Sequence, residues 1–450
     1  MRPSEHPGDE RDALRRGTRT FEGTVLWLSL WQLTNSFLPF LALSALMYRT
    51  LPISIPLTLA LAVVAAGFAV RIFIIQHDCG HGSFFRARAA NHAVGALCSL
   101  VTLTPYLMWR RQHAGHHSHW NNLDRRLSGS DIYSGCLTVA EYQRLSGTRR
   151  WLYQLLQHPI VSRGVLPPLI FLLLYRLPFD TPRAWRRERR AVHLTNLALL
   201  ALFVGLGLVL GFRAVLLVQG PIVVITAIAG VWLFSVQHRF EAALWARQPT
   251  WHPVSASLQG SSYLELPRLF QWLTGNIGFH HVHHLNPRIP NYRLETCHRA
   301  TPMLQTAHVM KPWHGWKAWR AALWDERTRR MVPFARHRTG APGGSEQGRR
   351  DRGPGEACGE GGPFLAGAGH CHDGGGAADQ AGPAALQDAG GGEGDEQIAG
   401  RQAQQARQQS GLWHRADRQE AAGAHGIGGH ADREDGEIDL PVRHRRPARR

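Results

Sequence analysis

Three groups of histidines stand out by their spacing. His77-Asp-Cys-Gly-His81 reads HxxxH, His113-Ala-Gly-His116-His117 reads HxxHH, and His280-His-Val-His283-His284 repeats HxxHH. On a helix, positions i, i+3 and i+4 lie on one face, so each group can turn its imidazoles toward a common centre. A lone histidine is more often a core or interfacial residue than a ligand. Three groups at matched spacing point to metal instead. Eight imidazoles at box spacing exceed the four positions of one structural zinc, and no thiolate accompanies them. Imidazole suits iron, copper, nickel and zinc alike, and two metals with several histidines each match the count. Two irons held by neutral nitrogen would activate dioxygen strongly enough to take hydrogen from an unactivated alkyl chain.

The elements that must position these groups are apolar. Runs from Val25 to Met47 and from Ile53 to Ile75 are separated only by a short break at Tyr48–Pro52. Runs from His193 to Leu210 and from Ala214 to Val236 are separated only by Gly211-Phe212-Arg213. Each run is long enough to cross a bilayer as a helix, and the first is too long for a signal-peptide core. The expected fold is therefore all-α and polytopic: four transmembrane helices in two hairpins under a helical cap. Ala93–Trp109 is barely long enough to cross and reads as a re-entrant or interfacial segment. Val165–Leu174 is too short to span. Residues 237–338 read as ordered but outside the membrane.

Charge sets the orientation. The chain of 450 residues carries 51 basic against 33 acidic residues, and only Lys311 and Lys317 of the basic ones are lysines. From residue 341 on there are 13 basic and 17 acidic residues, which is −4; residues 1–340 hold 38 and 16, which is +22. The arginines flank the outer ends of both hairpins, while the short connections carry only Arg49 and Arg213. By the positive-inside rule the N-terminus, the cap and the histidines face the cytoplasm. This pattern argues against nucleic acid, which would call for one basic stripe on a domain. Six cysteines without CxxC spacing fit reduced thiols.

Three regions follow: a cytoplasmic N-terminal segment (1–24), a membrane domain (25–338) and a Gly-rich tail (339–450). The last 110 residues hold 25 of the 47 glycines, and aliphatic residues almost vanish there. Such a composition predicts disorder. The abrupt loss of hydrophobic patterning also has the texture of an out-of-frame reading of GC-rich coding DNA. Its His370-Cys371-His372 is not expected to bind metal.

The boxes resemble those of the membrane fatty-acid desaturases, within the wider group of histidine-box oxygenases and hydroxylases. The resemblance covers about residues 25–335. It is carried by His77-Asp-Cys-Gly-His-Gly-Ser-Phe84, by His113–His117, and by Gly275-Asn-Ile-Gly-Phe-His-His-Val-His-His-Leu-Asn-Pro287 with Pro290-Asn-Tyr-Arg293. The last stretch is most similar to bacterial acyl-lipid omega-6 (delta-12) desaturases. The resemblance implies a di-iron site and a ninth ligand after the last membrane helix, where Val236-Gln-His238-Arg-Phe-Glu241 stands. The implied metal ligands are thus His77, His81, His113, His116, His117, His238, His280, His283 and His284. His281 lies in the third box but off its ligand spacing. His119, His158, His193, His252, His298, His308 and His314 lack box spacing and are not expected to bind metal.

Ligating imidazoles usually donate their other N–H to a carboxylate or carbonyl. Asp78, Asp124, Asp131, Glu241 and Asn276 are near enough in sequence to serve. Trp109, Trp120, Trp232, Trp245, Trp251 and Trp272 read mostly as membrane-surface anchors, with one or two of them expected to line an acyl tunnel. The implied reaction inserts a cis double bond into a membrane lipid acyl chain, with two iron ions as cofactor and O2 as co-substrate. With no haem or flavin signature in the chain, the electrons would come from a separate ferredoxin or cytochrome. The implied location is a bacterial inner membrane. The boxes alone also fit a hydroxylase or ketolase of carotenoids, alkanes or sphingolipids, although the surroundings of the third box favour desaturation. A metal transporter or receptor would line its spans with histidines or carboxylates, whereas these histidines gather at span ends.

Overall fold

Among the described residues, four helices are long and apolar enough to cross a membrane: α1 (Leu26–Thr50), α2 (Ile55–His81), α7 (Arg186–Leu210) and α8 (Phe212–His238). They are those expected from the apolar runs. A computed structural model describes residues 13–126, 135–318 and 320–334. The remaining residues, with Asp131, the 1–12 segment and the whole of the Gly-rich tail, lie outside the described set. Leu59, Val63, Leu197, Leu208, Val209 and Leu216 all point outward. Burying that surface in lipid is what makes such helices stable.

Helix α2 is the central post and packs against α1 and α8. Ser54 caps its start by accepting from the Leu57 N–H at 3.3 Å, and Pro56 occupies its first turn. Its end is set by Gly82, whose φ of +71° closes the helix in the left-handed region. At 1.5 Å per residue, 27 residues reach about 40 Å, against roughly 30 Å of hydrocarbon. The last turns of α2 can therefore stand clear of the hydrocarbon, and these turns bear His77 and His81.

The apolar stretch at Ala93–Trp109 is an elbow of α3 (Arg88–Thr102) and α4 (Tyr106–His119), bent by 100°. Leu103, with φ of +56°, breaks the chain there, and Pro105 precedes the new helix. The elbow is clamped onto α2. The Tyr106 hydroxyl donates to the Cys79 carbonyl at 2.8 Å, Arg110 Nε donates to the Gly80 carbonyl at 2.8 Å, and Gln76 donates to the Thr104 carbonyl at 3.2 Å. Helix α4 thereby carries the second box directly beside the first. A second bent pair runs from α5 (Gly147–Gln157) through a π-helical turn, Val161–Val165, into α6 (Leu166–Leu172).

Beyond α8 the cap is built from short helices: α9 (Pro253–Gly260), α10 (Arg268–Leu273) and α11 (His280–Leu285). It is not wholly helical. β1 (Leu137–Thr138) pairs in parallel with β4 (Leu323–Asp325), which pairs antiparallel with β5 (Arg330–Val332). β2 (Tyr263–Leu264) pairs in parallel with β3 (Val309–Met310). These strands of two or three residues are too short to leave an alternating pattern, so sequence periodicity misses them. They pin the cap to a core of Trp120, Trp245, Leu264, Met310 and Trp324 against α8.

Candidate metal centre

The third box sits on α11, and the turn before it is tightly specified. Gly275 and Asn276 both have positive φ, +53° and +57°. A Cβ on Gly278 would come within 2.5 Å of the Leu264 carbonyl oxygen, so only glycine lets this turn lie against β2. The first box ends α2, the second rides α4, and His238 is the last residue of α8. All four carriers meet at one end of the bundle.

The eight box histidines and His238, the ninth that the resemblance implies, converge there, but not box by box. Ring nitrogens of His77, His81, His113, His117 and His283 lie within 4.8 Å of one another, and so do those of His116, His238 and His284. His280 joins the second group, its Nε2 2.8 Å from that of His238 and 3.2 Å from that of His284. Boxes two and three are therefore each split. In each box the i, i+4 pair stays together (His113 with His117, His280 with His284), and the remaining residue, His116 or His283, crosses to the other group.

The donors suit metal ions. His238, His280 and His284 bring three Nε2 atoms within 3.2 Å of one another, and His116 Nε2 lies 3.3 Å from two of them. Neutral imidazoles cannot satisfy so many converging nitrogens among themselves, because each ring offers one N–H. A cation accepting several lone pairs resolves the clash. The Nε2 atoms of His77 and His81 are buried and have no hydrogen-bond partner among the described residues. Burial drives His280, His283 and His284 well below the ordinary imidazole range, and neighbouring imidazoles push the same way. They are neutral donors at neutral pH, the form that binds metal.

Around the rings, the partners expected from sequence separate. Asp78 Oδ1 lies 3.2 Å from His77 Nδ1, and both residues are buried. Its Oδ2 accepts from the main-chain N–H and the Nδ2 of Asn291, each at 2.8 Å. Asn276 is one step farther out, donating to the Asn291 carbonyl at 3.2 Å. Asp124 and Glu241 sit with arginines instead. Asp124 pairs with Arg247 at 2.8 Å and accepts the Gln248 N–H, while Glu241 pairs with Arg330 at 3.0 Å, exposed. A carboxylate at a cap surface gains more from an arginine in water than from desolvation beside a buried ring. His281 turns away from both groups, its Nε2 3.0 Å from His298 Nδ1, and burial holds it down at about 3.

Four residues beside the histidines were not expected there from sequence. Asn291 and Gln32, joined at 3.1 Å, are 259 residues apart, and nothing local pairs them. Trp109 stacks on His113 with ring centroids 4.6 Å apart, and Trp120 lies 3.9 Å from His238. These two tryptophans are buried beside the histidines, and Trp109 lines an apolar cavity that reaches them, as was expected of one or two of the tryptophans. Trp120 is held by donating its indole N–H to the Gly260 carbonyl at 2.9 Å.

An apolar cavity of about 120 Å³ reaches the histidines from between the membrane helices. Phe73 and Ile74 of α2, Phe171 of α6, and Ala227 and Gly230 of α8 line it; His77, His113 and His280 stand at its wall. Both histidine groups thus contribute to one apolar space.

Comparison with known proteins agrees with this geometry. Residues 53–316 match the family model for fatty acid desaturases. A fatty acid desaturase of Bacillus subtilis (strain 168) is 45% identical over 306 residues, covering 68% of this chain and 86% of that protein. An sn-1 oleoyl-lipid 12-desaturase of Picosynechococcus sp. is 24% identical over 285 residues, covering 59% of this chain and 76% of that protein. A chloroplastic omega-3 fatty acid desaturase of Glycine max is 29% identical over 249 residues, covering 52% of this chain and 51% of that protein. A family match across more than half the chain, falling on the segment that gathers the histidines, means that this chain belongs to the membrane fatty acid desaturases.

Proposed function

We propose that the enzyme inserts a cis double bond into the acyl chain of a membrane lipid, at the delta-12 (omega-6) position, with two irons as cofactor. The observation that carries this reading is the apolar cavity whose wall includes His77 and His113 of one group and His280 of the other. His77, His81, His113, His117 and His283 would hold one iron, and His116, His238, His280 and His284 the second. Bound there, the irons would supply the activation of O2 that hydrogen removal from an unactivated carbon requires. In the balance, O2 takes four electrons, two with the hydrogens of adjacent CH2 groups and two from a carrier, together with two protons from solvent, and leaves as two waters.

The chain's own residues do the positioning. Phe73, Ile74 and Phe171 exclude water and hold the acyl chain by its apolar surface, so that regiochemistry is a matter of reach. Asp78 orients His77 and keeps its proton on Nδ1, leaving Nε2 to the metal. The delta-12 position rests on the third-box stretch and on the 12-desaturase named among the relatives.

The arginine distribution supports a cytoplasmic cap and N-terminus in a bacterial inner membrane. Electrons would come from a ferredoxin or cytochrome. A hollow rimmed by the exposed Arg15, Arg16, Arg19 and Arg288 beside Asn286, two residues beyond His284, suits an acidic carrier.

The test is expression in a host rich in monounsaturated lipids, with mass spectrometry of fatty acids and double-bond position. A new diene that disappears in His116→Ala is the expected result. Hydroxylated or ketolated products with unchanged fatty acids would overturn the reading.

A further inference from the structure

A second hollow lies behind the wall of the acyl cavity. Val231 and Phe234 of α8 line both spaces, and Ile170 and Phe171, adjacent on α6, face one each. The two spaces differ in chemistry. The second holds Arg126, Arg163 and Arg239, with His238 at its edge.

Arg126 is paired with Glu141. Among the described residues, Arg163 and Arg239 have only neutral partners. Arg163 is 6% exposed, and donates from Nε to Ser235 Oγ at 2.9 Å and from Nη1 to Ser162 Oγ at 3.0 Å. Arg239, half-buried, donates to the Gln157 side-chain carbonyl and to the Gly135 carbonyl. Among the described residues neither meets a carboxylate. Two guanidinium groups facing one hollow without a counter-charge are costly unless an anion joins them. Arg163 is also carried on a π-helical turn, Val161–Val165, a geometry that recurs at functional sites.

The mouth of the hollow identifies where such an anion would come from. Leu156 and Gln157 of α5 form part of its rim. Trp151, Leu152 and Leu155 of the same helix are exposed, as is Ile160 just beyond, with Arg149 and Arg150 beside them. An exposed apolar face with adjacent arginines suits a helix lying in the headgroup layer.

We propose that Arg163 and Arg239 bind the phosphate of a glycerophospholipid whose acyl chain occupies the neighbouring apolar cavity. This deepens the proposed function and rests on it. Arginine forks match phosphate oxygens in pairs, so the site selects a phosphate-bearing acyl donor over a neutral glycolipid.

The test uses the full-length protein in detergent and two probes carrying the same brominated acyl chain, phosphatidylglycerol and diacylglycerol, read by tryptophan quenching. Arg163→Gln and Arg239→Gln should each weaken phosphatidylglycerol binding about tenfold or more and leave diacylglycerol within about twofold. Arg163→Lys, which keeps the charge, should recover part of the loss. Equal weakening of both probes would mean that the arginines only hold the fold, and no weakening of either would also overturn the site. Displacement of phosphatidylglycerol by millimolar inorganic phosphate would assign the site to free phosphate, and preference for an acyl-CoA would assign it to a thioester donor; either result overturns the lipid assignment. If Arg163→Gln fails to fold, Arg239→Gln carries the test alone. Absence of any double bond from the wild type would defeat the proposed function, whereas active wild type with unchanged lipid-class selectivity in both variants would defeat only this inference.

Discussion

Asn291 reaches Asp78 across 213 residues of sequence, donating both its main-chain N–H and its Nδ2 to one carboxylate oxygen at 2.8 Å. The other oxygen faces His77 Nδ1 at 3.2 Å. The ring that offers its Nε2 to the first histidine group is therefore oriented from the far side of the third box. Asp78→Asn should lower iron retention or activity by roughly 10–100-fold, and Asn291→Ala should act in the same direction but less. Iron per chain by plasma mass spectrometry, measured with desaturation rate, checks this; full iron content in Asp78→Asn would refute it.

The split of the boxes predicts which substitutions share a phenotype. His81→Ala and His284→Ala fall in different groups and should each retain about half the wild-type iron. His281→Gln, whose ring meets His298 instead, should keep both irons while losing some stability. Equal iron loss from His281→Gln and His284→Ala would show that the division is wrong.

Gly230 lines the acyl cavity, and a Cβ built on it meets nothing within 4 Å. Gly230→Ala should be tolerated, with a helix gain of up to about 1 kcal/mol. Gly230→Phe should fill the cavity and cut desaturation of long chains by about tenfold or more, with iron content unchanged, because the reacting carbons no longer reach the histidines. Product profiles across acyl lengths give the readout.

The arginine-paired carboxylates should be silent in the chemistry. Burial works to raise Asp124, but the Gln248 N–H and Arg247 outweigh it and hold the group below its ordinary range. A carboxylate lowered on folding adds stability above its unfolded value, and that stability is lost as pH falls through the folded one. The pair is solvent-screened, so Asp124→Asn should cost no more than about 1 kcal/mol near neutral pH and less in acid. Iron content should not change in Asp124→Asn or Glu241→Gln. Thermal melts at two pH values, run beside metal analysis, decide the point.

If the Arg15, Arg16, Arg19 and Arg288 rim docks an acidic carrier, its reduction step should slow as ionic strength rises, since the Debye length is only about 8 Å at physiological salt. Arg16→Gln with Arg19→Gln should flatten that dependence without altering iron content. Stopped-flow reduction that ignores salt in the wild type would remove the docking face.

Much of this molecule was legible in the sequence because its signals are local. Four apolar runs mark α1, α2, α7 and α8, since bilayer thickness demands an unbroken stretch of apolar residues. Box spacing singled out eight of the nine histidines that converge, because the helical repeat places i, i+3 and i+4 together whatever the fold; His238 came only from the family resemblance. Box spacing also set His281 apart. The same repeat could not decide which histidine joins which group. At about 100° per residue, His116 and His117 diverge on α4, and only the positions of α2, α8 and α11 around that helix determine the space each one faces. Asn291 against Asp78, Trp120 against His238, and the two arginines behind Phe234 belong to that second class. Each is a contact between segments far apart in sequence, fixed when the helices pack and leaving no periodicity to read beforehand.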